Sequence, residues 1–332
     1  MRWWYVTMNK NLNQLAWQTL FERYRILEEI EKNGIYYISA RQIKKEREPR
    51  LMAKFDYTIN LPYIFQKNKL SILPITRGNY AIAHFDAYHS FEQINQQIHR
   101  VNMPSYIQSI DCLQITSESI ALNCALASGI IADFTGDVGI MPTVSGRMTS
   151  GNFDFNIKSI CSEKKLLIKV KNSQIEIDGA YEGEKYLSLV EAKIDLSDDF
   201  LVRQLYYPFR VWQSKITKPV KPIILIYSNG IYHLYEYAFV NKEEYSSLQL
   251  IKQKNYAIED TQITHEDIIN IIKKHKIVEE QNNIPFPQAD SLDKLINLCE
   301  LIVSNDYTKE RITFNYDFDK RQTNYYVAAG VI

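Results

Sequence analysis

The chain reads as an α/β protein, α+β overall: a mixed sheet flanked by helices, with smaller helical modules before and after it. Three observations carry this expectation. Between residues 155 and 240, six short β-favoured runs stand with turn residues between them: FNIKSI, LLIKV, QIEID, YLSLVEAK, KPIILIYS and IYHLYEYAFV. One helical pattern, SDDFLVRQLYYPFRVWQ at 197–213, interrupts those runs, and strand–strand–helix–strand is the order of a mixed sheet. Ahead of them, SESIALNCALASGIIADF at 117–134 is an apolar helix suited to burying one flank of a sheet.

Taken in order, residues 9–33 repeat Leu12, Leu15, Ala16, Leu20, Tyr24, Leu27 and Ile30 near helical spacing, and Gly34 closes that helix. Tyr36 to Ile38 reads as a short strand, and Ser39 caps a helix starting at Ala40. Residues 70–86 form a hairpin turning at Arg77-Gly-Asn79. Helix, helix and a two-stranded wing make residues 1–95 a helical, winged-helix-like domain; a small α+β subdomain packed on its neighbour has the same order. The stretch after 91 begins polar and is expected to be helical. After the apolar helix, TGDVGIMPTVSGRMTSGNFDF at 135–155 is expected as a polar surface loop. In the 197–213 helix, Leu201, Leu205, Phe209 and Trp212 share one stripe, Arg203, Tyr207 and Arg210 share another side, and Pro208 should kink it. The main domain is therefore placed at 96–240. A helical linker region follows at 241–290, with one amphipathic helix in THEDIINIIKKHK and a linker at QNNIPFPQAD. Residues 291–332 form a C-terminal winged-helix-like module, starting with DSLDKLINLCELIV and ending on Gly-Val-Ile in what looks like an unfinished element.

Bulk properties exclude more than they identify. The 332 residues suffice for two or three cores, and 45% apolar with 23% charged is ordinary for a globular protein. No apolar run reaches membrane-spanning length and no export signal opens the chain, which leaves the cytoplasm as the expected location. Cys112, Cys124, Cys161 and Cys299 lack zinc or disulfide spacing, and the six histidines show no HxH or HExxH. Without GxxxxGK[ST], no nucleotide cofactor is expected. Net charge is zero, yet charge is segregated. Residues 41–54 carry six Lys/Arg against two Glu, and 203–221 carry five Lys/Arg and no acid.

The chemistry lies in EIDGAYEGEKYLSLVEAK at 176–193. An apolar run ends on Glu191 and Lys193, which share one face of a strand, with Asp178 thirteen residues before Glu191. If Asp178 lies on a neighbouring strand, the three heads converge. Two carboxylates can then hold Mg²⁺, with the Ala192 carbonyl as a further ligand. Lys193 would orient a water or stabilise charge in a phosphodiester's transition state, and the adjacent carboxylates should keep it protonated.

Ile177-Asp-Gly179 followed by Val190-Glu-Ala-Lys193 resembles the PD-(D/E)xK nuclease superfamily, whose members include type II restriction endonucleases and resolvases. Here isoleucine stands where the family has proline. The resemblance implies a restriction-endonuclease-like core and Mg²⁺-dependent catalysis by Asp178, Glu191 and Lys193. Gln204 and Tyr207 resemble the glutamine–tyrosine motif of RecB-like nucleases, at shorter spacing. Glu118, at the start of the apolar helix, is read as a helix N-terminal charge rather than an extra acid.

The expected activity is sequence-specific cleavage of double-stranded DNA by a homodimer of the restriction type, since a palindromic site mirrors two-fold symmetry. The alternative is a DNA-binding transcriptional regulator, or an inactive nuclease-fold protein. Expected DNA contacts are Arg41, Lys44, Lys45, Arg47, Arg50 and Lys54 in the N-terminal module, and Arg147 in the polar loop. Arg203, Gln204 and Tyr207 on the helix after the motif, and Arg321 and Gln322 near the C-terminus, complete the set.

Overall fold

The N-terminal pattern folds as two helices rather than the one expected, α1 (Leu12–Tyr24) and α2 (Ile26–Asn33). Arg25 between them adopts a left-handed backbone (φ 50°), which no helix interior tolerates. The apolar repeat runs on through the break because Trp17, Leu20, Phe21, Ile26 and Ile30 all enter the same core. Gly34, also left-handed, sends its N–H back to Ile30 and closes α2 as expected. This is a computed structural model, and it describes residues 12–92, 97–112, 114–259, 264–275, 288–303 and 307–330. Residues 281–287 of the linker expected at 281–290, and the C-terminal Val331-Ile332, lie outside the described residues.

Strand β1 (Tyr36–Ser39) leads into a single-turn α3 (Ala40–Ile43), where Ser39 and Gln42 form a capping box. Pro49 begins a second short helix, α4 (Pro49–Met52), so the basic stretch is divided between two helical turns. Then come α5 (Tyr63–Lys67) and the expected hairpin, β2 (Ser71–Pro74) and β3 (Asn79–Ala83), which with β1 makes an antiparallel sheet in the order β1-β3-β2.

After β4 (Tyr88–Ser90), the polar stretch expected to be helical holds β5 (Ile98–Val101) among its described residues. The apolar helix forms as α6 (Glu118–Ala127) and α7 (Ile130–Thr135), parted by the left-handed Gly129. The expected loop at 135–155 is mostly strand: β6 (Met141–Thr149) and the start of β7 (Asn152–Ser159). An edge strand hydrogen-bonds on one side and here is largely exposed on both faces. It therefore needs no apolar alternation to form. β8 (Ser162–Lys171) returns along β7, and β9 (Gln174–Glu182) and β10 (Leu187–Lys193) form the next hairpin. Asp199 begins a short strand, β11 (Asp199–Leu201), paired with β4, and the expected helix starts only at α8 (Arg203–Gln213), running through Pro208. β12 (Val220–Ser228), β13 (Ile231–Phe239) and β14 (Leu248–Ile258) follow. The rest is helical among the described residues: α9 (His265–Lys274), α10 (Leu292–Val303), α11 (Lys309–Asn315) and α12 (Lys320–Ala329).

The main sheet is mixed and seven-stranded, in the order β5-β14-β13-β12-β10-β9-β6. β10 runs parallel to β12, and β5 parallel to β14, while the other pairs are antiparallel. Each face has its own core. Leu187, Leu189 and Ile224 pack with α8 and the β7–β8 ribbon on one side; Val190, Ala192 and Leu225 pack with α6 and α7 on the other. β10 is thus a central strand, covered on both faces, and its C-terminal end is where the chain's motif falls. Among the described residues no helix is long and apolar enough to cross a membrane.

Candidate active site

The β9–β10 ladder pairs Leu187 with Glu182 and continues to Val190 opposite Gly179, where it ends. Asp178 and Glu191 are the first residues beyond it, so the two strands part at the two acids. The carboxylate Oδ2 of Asp178 accepts the Ala192 backbone N–H at 2.9 Å, taking the place of a ladder bond. Asp178 and the Ala192 amide are therefore side by side because the sheet opens there.

Glu191 and Lys193 share the α8 side of β10, and Lys193 Nζ donates to Glu191 Oε1 at 2.7 Å. Both side chains are about nine-tenths buried, at 11% and 10% exposure. From α8, Gln204 Nε2 also donates to Glu191 Oε1, at 2.5 Å, while Gln204 Oε1 is buried without a hydrogen-bond partner among the described residues. Burial pushes the Glu191 carboxyl up to about 8. Lys193 opposes that rise, and the charges of Asp178 and Glu118 add to it. For Lys193, burial works to lower the ammonium, but Glu191 and Glu118 outweigh it and hold the amine well above its ordinary value. A lysine so held acts as a cation and hydrogen-bond donor, not as a proton acceptor.

Glu118 sits in the first turn of α6, whose cap is the Ser117 hydroxyl accepting the Ile120 N–H. By its place in the sequence it is a helix N-terminal charge alone. In the fold it also faces the motif: burial raises its carboxyl, Lys193 opposes the rise, and Asp178 adds to it. Only packing of α6 across the sheet end brings it there, and no local pattern announces it. Two further residues were missed. Asp195 lies two positions beyond Lys193, and its buried Oδ1 accepts the hydroxyl of Tyr57 from the N-terminal module at 3.0 Å. The alternation Glu191, Lys193, Asp195 was a usable signal for the acid; Tyr57, 138 residues away, had none.

The residues expected to meet DNA divide into two sets. Arg41, Lys44, Lys45 and Arg50 are exposed around α3 and α4, and Lys54 is exposed beside Asp56 at 3.4 Å. Lys54 also lies near enough to Glu118 to oppose the rise of its carboxyl. Arg321 is exposed on α12. Others are engaged within the fold. Arg47 donates to Asn13 Oδ1 at 2.6 Å, and Gln322 Oε1 accepts the Asp319 N–H in a capping box. Arg147, on β6 rather than a loop, pairs with Glu176 at 3.1 Å. Tyr207 is buried, donating to the Pro74 carbonyl at 2.9 Å, with Arg203 against its ring. Tyr207 thus faces the core instead of the polar side, because α8 is covered by the β7–β8 ribbon and the N-terminal sheet as well as by the main sheet.

As to a metal, the donor set has the right chemistry for a hard cation. Asp178 and Glu191 are neighbouring oxygen donors, and a divalent ion between them would offset the burial and repulsion that raise the Glu191 carboxyl. Mg²⁺ asks for only one or two protein carboxylates besides water and phosphate oxygens. Among the described residues no group of three or more His, Cys, Asp and Glu side chains stands assembled for an ion.

A family model described as a domain of unknown function (DUF6997) matches residues 83–257, more than half of the chain. Two shorter models, also described as domains of unknown function, match residues 14–82 (DUF6996) and 294–332 (DUF7226). No curated protein and no solved structure is significantly similar to the chain.

Proposed function

The chain belongs to the DUF6997 family, a domain of unknown function, and from the geometry of its strand-end cluster we propose that it is a Mg²⁺-dependent endonuclease of the PD-(D/E)xK type, cutting double-stranded DNA as type II restriction enzymes do. The observation that carries the reading is the parting of β9 and β10 at Asp178 and Glu191, with Lys193 and Gln204 on the same buried cluster. A mixed sheet flanked by helices, with the acids at the end of a central strand, supports a restriction-endonuclease-like core. The helices of residues 12–67, with β1 paired to the β2–β3 hairpin, support a winged-helix-like DNA-contacting module.

Asp178 and Glu191 would hold the ion, with the Ala192 carbonyl as a further ligand and Glu118 as a nearby acid. When bound, Mg²⁺ supplies an activated water and neutralises charge on the scissile phosphate. Lys193, protonated, stabilises the extra negative charge on the phosphorus oxygens in the transition state, where a fixed cation in a poorly solvated site acts most strongly. Gln204 fixes the Glu191 carboxylate and limits its rotation. Exposed Arg41, Lys44, Lys45, Arg50 and Lys54 attract the DNA backbone, and Arg321 would extend that contact. Two copies acting on a symmetric site would sever both strands.

The test is cleavage of plasmid and of varied unmethylated genomic DNA with and without Mg²⁺, beside Asp178→Ala and Lys193→Ala. Cleavage that needs the ion, with each variant slower by about 10²-fold or more, is the expected result. Absence of metal-dependent cleavage on every DNA tried, with salt-sensitive binding retained, points to a DNA-binding protein without catalysis.

A further inference from the structure

Residues 194–199 leave the motif strand and lead to β11 and α8, so the two ends of this segment carry the site: Glu191 and Lys193 before it, Gln204 after it. Both flanking modules grip it. From the N-terminal module, Tyr57 Oη donates to Asp195 Oδ1 at 3.0 Å, and the Thr58 N–H and hydroxyl both donate to Asp199. On the C-terminal side, Asn297 clamps the segment with both ends of its amide. Its Nδ2 donates to the Ile194 carbonyl at 2.9 Å, and its Oδ1 accepts the Leu196 N–H at 3.1 Å. Asp317 accepts the Asp198 N–H at 2.8 Å. Tyr57, Asp195, Asn297 and Asp317 are all buried, so the bonds they make are shielded from solvent, while those of Thr58 to Asp199 lie at the surface.

Asp195 is the centre of this arrangement. One carboxylate oxygen is satisfied by Tyr57, and the other, Oδ2, is buried with no hydrogen-bond donor among the described residues. Lys193 is the cation that acts on it most, opposing the rise that burial imposes. An acid placed so contributes little to folding, because desolvating a half-satisfied carboxylate costs more than one hydroxyl returns. The Lys193 ammonium, two residues earlier, donates to Glu191, so the chain joins the acid that Tyr57 holds directly to the site's cation.

We propose that Tyr57 and Asp195 are positioning residues for Lys193, and that residues 194–199 are the element through which the seating of both flanking modules on DNA sets the geometry of the catalytic cluster. The inference rests on the nuclease reading. A module that shifts when it meets DNA displaces a segment bonded to it at two or more points, and Lys193 and Gln204 move with that segment. The site is then assembled for catalysis only when the modules are correctly seated, which ties cutting to recognition without a separate switch.

The experiment compares wild type with Tyr57→Phe, which removes one hydroxyl, and Asp195→Asn, which keeps the shape and removes the charge. Three quantities are read on the full chain: the single-turnover cleavage rate at saturating DNA and Mg²⁺, DNA affinity without metal, and the thermal midpoint. The expected result is a cleavage rate lower by about ten- to a hundred-fold in both variants, with affinity and midpoint close to wild type. Loss confined to the rate separates positioning from a merely structural role. If one variant unfolds, the other carries the test, since Tyr57→Phe removes the hydrogen bond and Asp195→Asn, whose amide oxygen still accepts it, removes the charge. Wild type that cuts while both folded variants cut equally fast overturns the coupling and leaves the nuclease reading standing. Wild type that cuts no DNA overturns both.

Discussion

At Glu191 the fold and the charge of the side chain are opposed. The carboxyl is held from an ordinary 4.5 up to about 8, first by burial and then by Asp178 and Glu118, against the pull of Lys193. The folded protein therefore keeps a proton there that the unfolded chain gives up above its ordinary value. That contribution to stability is complete below 4.5 and is lost as pH rises through about 8. Asp195, pushed up to about 7 by burial, acts in the same direction. In metal-free buffer, urea melts should show stability falling from about pH 5 to pH 8, and Glu191→Gln should flatten that fall. Equal slopes in the two proteins would show that Glu191 is not the proton's site. Asp178, Glu191 and Lys193 were legible in the sequence because a strand's two-residue period fixes which side chains share a face. Glu118 and Tyr57 were not, since their approach to Lys193 depends on where α6 and the N-terminal module pack.

Among the elements, the β9–β10 hairpin decides whether the acids meet at all, and its turn is held by Asp137 from the end of α7. The Asp137 carboxylate accepts the backbone N–H groups of Val138, Lys185 and Tyr186. Although burial works to raise its carboxyl, those three bonds hold it below the ordinary range. Gly183 is needed because a Cβ there would lie 2.4 Å from Asp137 Oδ2. Gly183→Ala must push the carboxylate off the turn, so it should cost about 1–3 kcal/mol of stability in urea melts, the usual range for overpacking. An unchanged melt would mean the turn re-forms without Asp137. The strands of this hairpin were readable from their apolar runs, whereas the polar β6 beside them was not. Its place comes from the backbone bonds β9 offers, which leave no periodicity in the sequence. The break at Arg25 was hidden for the opposite reason: one continuous apolar repeat serves two helices that face one core.

For the molecule as a whole, zero net charge means that attraction to a polyanion must come from local segregation. Packing consumes part of the basic stretch 41–54. Arg47 is turned toward Asn13 and Lys54 stands beside Asp56, while Glu46, an acid of the stretch, pairs with Arg23 outside it. Arg41, Lys44, Lys45 and Arg50 are left exposed around α3 and α4, in the module that also supplies Tyr57 to the site's edge. DNA lying on that face would meet the module and the cluster together, so binding should be governed by phosphate contacts there while cleavage is governed by the sheet end. Replacing Arg41, Lys44 and Lys45 with glutamine should weaken DNA binding for every sequence and make the dependence of log affinity on log salt shallower by about three. The single-turnover cleavage rate at saturating DNA should stay near wild type, because Arg50 and Lys54 remain to seat the module once the duplex is bound. Fluorescence anisotropy across a salt series reads the first effect and quenched-flow cleavage the second. An unchanged salt slope would move the DNA-binding face away from α3 and α4, and a reduced rate at saturation would mean that these residues help to seat the module rather than merely attract the duplex.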